Sequence, residues 1–175
     1  MGEKEKAIEH FVKVPSASPF YTESVVHASY LLKGLKRGDE AIQVAQRALE
    51  KKDDVPQFYT ILATLFDDKG DFKQTEGVLA KGLQKFPENI QLNFFYGTLL
   101  DRQGKKEQVI QQMRKVINMD PRHVQGLNYL AFTFADLGQN LEEAEELVSR
   151  ALQIEPQDGY ILDTYGWVLF RRGHT

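Results

Sequence analysis

The chain has 175 residues, 42% hydrophobic and 27% charged, with a formal net charge of -3 and no cysteine. That apolar content excludes a disordered chain, and the scattered basic residues lack the concentrated positive face of a nucleic-acid binder. Composition alone rules out disulfides, thiol catalysis and thiolate metal sites, and it leaves the compartment open.

In chain order, Ala7, Phe11 and Val14 ahead of Pro19 have the spacing of a single helix. No apolar run approaches the length of a membrane span, and the charged start MGEKEK is unlike a signal peptide. A helix predicted over 22–36 ends at Gly34 or Gly38, with about two extra residues before Ala41. Its partner over 39–51 is marked by Ala41, Ala45 and Ala48.

From there the pattern is regular. Helices of one kind, called A, are predicted over 57–68, 91–103, 125–137 and 160–172. Partners of a second kind, B, are predicted over 73–85, 106–118 and 141–154. Gly70, Gly104 and Gly138 fall between A and B, where a chain leaving a helix needs the left-handed conformation that glycine adopts at low cost. Pro87, Pro121 and Pro156 fall just past each B, in steps of 34 and 35 residues, and Pro19 shares their phase. Small residues inside helix A keep the same beat at Ala63, Gly97, Ala131 and Gly166, where they let the facing helix B approach. A fixed period of this length marks a helix–turn–helix solenoid.

Bulky, small, aromatic, small and proline positions recur in the order of the tetratricopeptide repeats, and the chain resembles that family over nearly its whole length. The clearest unit is Leu127, Leu130, Ala131, Phe134, Gly138, Ala144, Ala151 and Pro156, with one residue inserted in its corner at about Asn140. Thr75 and Val109 depart from the alanine usual at their position, and Asp53 replaces the closing proline. The resemblance implies one all-α domain over 1–175, a right-handed superhelical solenoid of antiparallel helix pairs. Four full repeats are expected at 20–55, 56–89, 90–123 and 124–158, with half repeats at 1–19 and 159–175. Both ends read as unfinished, as in a piece of a longer repeat protein.

Chemistry is sparse. His10, His27, His123 and His174 occur singly, without the glutamate-paired i, i+4 spacing of a helical zinc site, and read as structural or surface residues. Asp67, Asp68 and Asp71 around Gly70 lack the spacing of a calcium loop and read as a solvated corner. The run Glu142, Glu143, Glu145 and Glu146 opens a helix B, where carboxylates suit the helix dipole. Lys105, Lys106 and Arg114 read as solvated helix surface. No nucleophile, base and orienting group can be nominated, so the chain reads as non-catalytic, with no cofactor and no metal.

The resemblance implies a concave groove lined by helix A. Carried over by position, the partner-binding residues are Gln57, Thr60, Thr64, Asp67 and Asp68, then Gln91, Phe94, Thr98, Asp101 and Arg102. The next repeats supply Gln125, Asn128, Phe132 and Asp136, and finally Asp163, Trp167 and Arg171. Thr60, Phe94 and Asn128 stand where a basic clamp for a peptide carboxylate would place lysine, which disfavours that role. Asp67, Asp68, Asp101 and Asp136 on one face suggest a peptide with apolar side chains and positive charge. Phe94, Phe132 and Trp167 have two readings, as anchors for such a peptide or as core.

A protein-interaction scaffold is therefore expected, with no nucleic-acid partner and no membrane insertion. Two alternatives stand beside it: self-assembly into homo-oligomers through the terminal helices, and a regulatory arm of a larger enzyme or of a bacterial cell-envelope assembly factor.

Overall fold

The structure, a computed structural model, describes residues 2–173, so Met1, His174 and Thr175, and with them the expectation for His174, lie outside it. The described residues form ten α-helices and no strand: α1 (Glu3–Phe11), α2 (Tyr21–Gly34), α3 (Gly38–Lys51), α4 (Pro56–Asp68), α5 (Phe72–Lys85), α6 (Ile90–Arg102), α7 (Lys106–Met119), α8 (Val124–Leu137), α9 (Leu141–Ile154) and α10 (Gly159–Arg171). They fall into two compact units that meet between Leu92 and Asn93, inside α6.

In the first unit α2 packs on α1, α3 and α4, and α4 packs on α3 and α5. An A helix therefore has neighbours on several sides, which its composition reflects. The A helix α4 buries Phe58, Tyr59, Ile61, Leu62, Ala63, Leu65 and Phe66, whereas its B partner α5 buries only Thr75, Leu79 and Gly82. Those three positions, four and then three apart, are the single stripe that a helix with one covered face requires. Tyr21 of α2 meets Phe58 edge to face, ring centroids 6.0 Å apart. Each of these aromatic burials contributes roughly 1.5–3 kcal/mol.

The second unit repeats the arrangement, with α8 against α7, α9 and α10, and α9 against α10. Its core joins Met113 of α7, Leu127, Leu130 and Phe134 of α8, Val148 of α9, and Ile161 and Val168 of α10. Close approach explains Gly97: a Cβ there would lie 2.5 Å from Cε of the buried Met113. It does not explain Gly166, which has nothing within 4 Å of a built Cβ.

The corners between A and B are left-handed, with φ of 73° at Gly70, 72° at Gly104 and 67° at Gly138. The extra residue at the last of these is present, and Asn140 takes φ of 47° as the chain enters α9. The first corner differs from the sequence expectation. Neither Gly34 nor Gly38 makes the turn: Gly34 closes α2, Gly38 opens α3, and Lys36 between them takes φ of 60°. Lys36 lies 34 residues before Gly70, so no extra residues precede Ala41. A non-glycine corner hid the true register.

The two departures from the repeat pattern are accommodated. Thr75 and Val109 are fully buried, and the Thr75 hydroxyl donates to the Asp71 carbonyl at 3.0 Å. Asp53, in place of proline, ties its corner through charge and backbone: its carboxylate pairs with Lys85, and its carbonyl accepts from the Tyr59 hydroxyl at 3.0 Å.

Candidate partner-binding face

The expected groove residues all lie on A helices, and most are exposed or half-buried on a face that the core leaves open. In the first unit Gln57 is exposed while Thr60 and Thr64 are half-buried. The threonine hydroxyls donate one turn back, Thr60 to Pro56 O at 3.3 Å and Thr64 to Thr60 O at 2.8 Å. Their donors are therefore spent on the helix itself. Thr98 does the same with Phe95 O at 2.8 Å. Asp68 pairs with Lys33 on the neighbouring A helix at 2.7 Å, Asp67 is half-buried, and Gln91 is exposed.

In the second unit the acidic positions are knitted together. Lys106 Nζ lies 2.9 Å from Asp101 and 3.2 Å from Asp136, and the Tyr129 hydroxyl donates to Asp101 at 2.8 Å. Lys106 is thus a bridge between α6, α7 and α8, not the solvated lysine its sequence context suggested. Its ammonium is held above the ordinary lysine range, chiefly by the hydrogen bond to Asp101, with burial opposing and the hydrogen bond to Asp136 adding a smaller share. Burial, then the hydrogen bond to Asp101, pushes the Tyr129 phenol well above its usual value. Arg171 donates to the Asp136 carbonyl at 3.0 Å. Arg114 also departs from the expectation: it pairs with Glu143 at 2.7 Å and lies 5.5 Å over the Phe134 ring. Glu145 and, at 4.0 Å, Glu142 pair with Arg172, so three members of the acidic run have structural partners.

Of the aspartates expected to attract positive charge, Asp68, Asp101 and Asp136 are paired with lysines of the chain. What the face offers most freely is aromatic surface. Phe132 is 42% exposed and Trp167 36%, the latter stacked on Phe170 at 5.4 Å with the Arg171 guanidinium 5.5 Å over its ring. Phe94 is intermediate: it packs against the core, meets Tyr129 edge to face at 6.0 Å, and lies 5.2 Å from the His123 ring. Arg102 and Asp163 are exposed.

Phe94, Gln125 and Asn128 also come together in a cleft of about 360 Å³, with Tyr129, Glu155, Asp158 and Tyr160 around them. Two ends of helices shape it. Asp158 caps α10, its Oδ1 accepting from Tyr160 N at 2.9 Å and Ile161 N at 3.0 Å. His123 caps α8, its Nδ1 accepting from Gly126 N at 2.9 Å. Burial lowers the His123 pKa, with Asp120 opposing.

Sequence reasoning passed over Tyr30, Tyr129 and Tyr160. Two of these were within its reach, because Tyr30 lies 34 residues before Thr64 and Tyr160 lies 35 after Gln125, in the same phases. Both are open to solvent, Tyr30 at 56% and Tyr160 at 84%.

Residues 90–123 match the family described as Tetratricopeptide repeat. A TPR repeat-containing protein of Pseudomonas aeruginosa is 28% identical over 169 residues, 96% of this chain and 28% of its own length. The chain thus spans little more than a quarter of that relative. Among solved structures, a thermophilic TPR protein of Thermus thermophilus matches with a TM-score of 0.74 at 17% identity, over 97% of this chain and 92% of its own. YrrB, a TPR protein with an unusual peptide-binding site, matches with 0.67 at 19% identity, over 94% and 84% of the two chains. The pilF protein of Pseudomonas aeruginosa matches with 0.74 at 14% identity, over 98% and 72%. At these identities the structural likenesses show the fold, a helical solenoid.

Proposed function

Because the chain is a tetratricopeptide-repeat protein, a fold that generally mediates protein–protein interaction, we propose that it is a non-catalytic scaffold holding a segment of a partner protein on its helix A faces. The repeats at 20–55, 56–89, 90–123 and 124–158 present those faces as parts of one interaction domain. The observation that carries the reading is that, of the positions equivalent in phase, Tyr30 and Thr64 in the first unit and Thr98, Phe132 and Trp167 in the second, every aromatic one is left exposed. Large side chains left open to water on an otherwise well-covered helix supply contact area at low entropic cost. The internal pairing of Asp68, Asp101 and Asp136 favours apolar side chains of the partner beside these aromatics over general positive charge.

Affinity selection of short peptides on the full chain, followed by titration of the selected peptide, tests the reading. Phe132→Ala and Trp167→Ala each weaken binding by about tenfold or more, the cost of truncating an interface aromatic. Unchanged affinity in both variants overturns it.

Leu162 and Phe170 of α10, 49% and 59% exposed, favour a second reading in which α10 packs on another copy of the chain. Light scattering over a concentration series checks it, and a mass independent of concentration at the monomer value rules it out. Among the described residues no helix is long and apolar enough to cross a membrane.

A further inference from the structure

We propose that the cleft between Asn128 and Glu155 is a subsite for a guanidinium group, so that the bound partner segment carries an arginine there. The inference rests on the scaffold reading and names the chemistry of one residue of its ligand.

Two carboxylates and an unpartnered amide oxygen belong to the residues that line the cleft. Asn128 Oδ1 is buried and has no hydrogen-bond partner in the chain, a state that costs roughly 1–3 kcal/mol unless something donates to it. Glu155 and Asp158 both line the cleft, and no lysine or arginine does. Glu155 is also placed against electrostatic preference. It is the C-cap of α9, at the end where unpaired carbonyls already gather partial negative charge and where a cation is the favoured neighbour. An exposed carboxylate at that end gains nothing for the helix, and a bound cation relieves both the dipole and the carboxylate.

Apolar surfaces decide which cation. Val124 and Ile161 offer a lining for an aliphatic stem, and Phe94 and the 84% exposed Tyr160 offer ring faces. A guanidinium is planar, stacks on such rings, and carries five donors in a fixed fork, enough to serve a carboxylate together with Asn128 Oδ1 once a turn of the amide brings that covered oxygen to the cleft. An ammonium is a compact, strongly hydrated charge that gives up more hydration on entering a partly apolar cleft. The aspartates neutralised by Lys33 and Lys106 cannot supply this preference, whereas the cleft lining holds two carboxylates and no basic side chain.

The test uses the full chain and three capped pentapeptides, alanine-leucine-X-leucine-alanine, with arginine, its uncharged isostere citrulline, or lysine at X. Calorimetric titration shows the arginine peptide binding about tenfold tighter than the citrulline peptide, the worth of one or two charge-assisted hydrogen bonds. That advantage disappears in Glu155→Gln and in Asn128→Leu. Glu155→Gln alters an exposed side chain at an unfavourable helix end, so loss of the fold does not confound it. Equal affinities for arginine and citrulline peptides, an advantage that survives both substitutions, or no saturable binding overturns the subsite. Binding of the lysine peptide as tight as that of arginine overturns the guanidinium assignment. If arginine and citrulline peptides bind alike and Phe132→Ala weakens both, the subsite fails while the scaffold reading stands.

Discussion

The Tyr129 hydroxyl donates to the Asp101 carboxylate at 2.8 Å, joining α8 to α6 across 28 residues of sequence. The same carboxylate receives Lys106 at 2.9 Å, so the phenol is held protonated by burial and by a neighbouring negative charge.

This pairing has a signature at high pH. The folded-state pKa of Tyr129 lies above its unfolded value of about 10, so its contribution is fully present below that pH. Above it the unfolded chain loses a proton that the folded chain retains, and stability falls as pH rises. Lys106, also raised, adds to the same limb. Urea denaturation between about pH 8 and 11 shows this decline. Tyr129→Phe makes the decline shallower at a cost of about 1 kcal/mol at neutral pH; an unaltered slope contradicts the assignment.

On the acid side of neutrality His123 has a titration of its own. Its Nδ1 accepts the Gly126 amide at the start of α8, a role open only to the neutral ring, and burial lowers its pKa. The unfolded imidazole takes up a proton near pH 6.5 while the folded one resists, so stability is lost as pH falls through that value toward the depressed folded pKa. His123→Asn keeps a capping side chain and removes the titration. Thermal midpoints of this variant vary less than those of the parent between about pH 7 and 5.

Lys36 adopts φ of 60°, a conformation that Gly70, Gly104 and Gly138 adopt at the equivalent corners. Lys36→Gly raises stability by about 0.5–1 kcal/mol, the steric relief exceeding the added freedom of the unfolded chain. Gly70→Ala lowers it by about 1 kcal/mol. Since nothing lies within 4 Å of a Cβ at Gly70, that loss reports backbone conformation alone. Chemical denaturation of the two variants should move in opposite directions, and a shared direction removes the left-handed explanation.

Phe132 and Phe134 sit two residues apart on α8 and face opposite surroundings, 42% and 1% exposed. Phe134→Ala opens the core beneath Arg114 and costs about 3–5 kcal/mol. Phe132→Ala changes stability by no more than about 1 kcal/mol, as expected for a side chain with little to lose on the folded surface. Comparable losses in both place Phe132 in the core and remove it from the binding face.

The helices were legible because each repeat announces itself by short-range chemistry: a glycine at the A–B corner, a proline past helix B, and small residues in helix A. Where the local rule was broken, at Lys36, the reading placed two residues too many in the corner. Groove positions were equally readable by phase, and the phase also contains Tyr30 and Tyr160, which a closer use of it would have found. Charge was not readable. Lys106 meets Asp136 across 30 residues only because α7 lies between two A helices, and Lys33 meets Asp68 across 35. No spacing rule within one helix encodes such pairs. Likewise, the unsatisfied oxygen of Asn128 exists only once α6, α8 and α10 have enclosed it.

The left-handed residues at 36, 70, 104 and 138 divide the chain into stretches that enter and leave in one backbone conformation. Such stretches are interchangeable cassettes: joining one corner to another preserves direction as well as sequence phase, so whole periods can be duplicated, removed or shuffled without a new joint. The stretch from Gly138 to the next glycine in this conformation, Gly173, is one residue longer. Asn140 therefore marks the single cassette whose transplantation would carry its own offset.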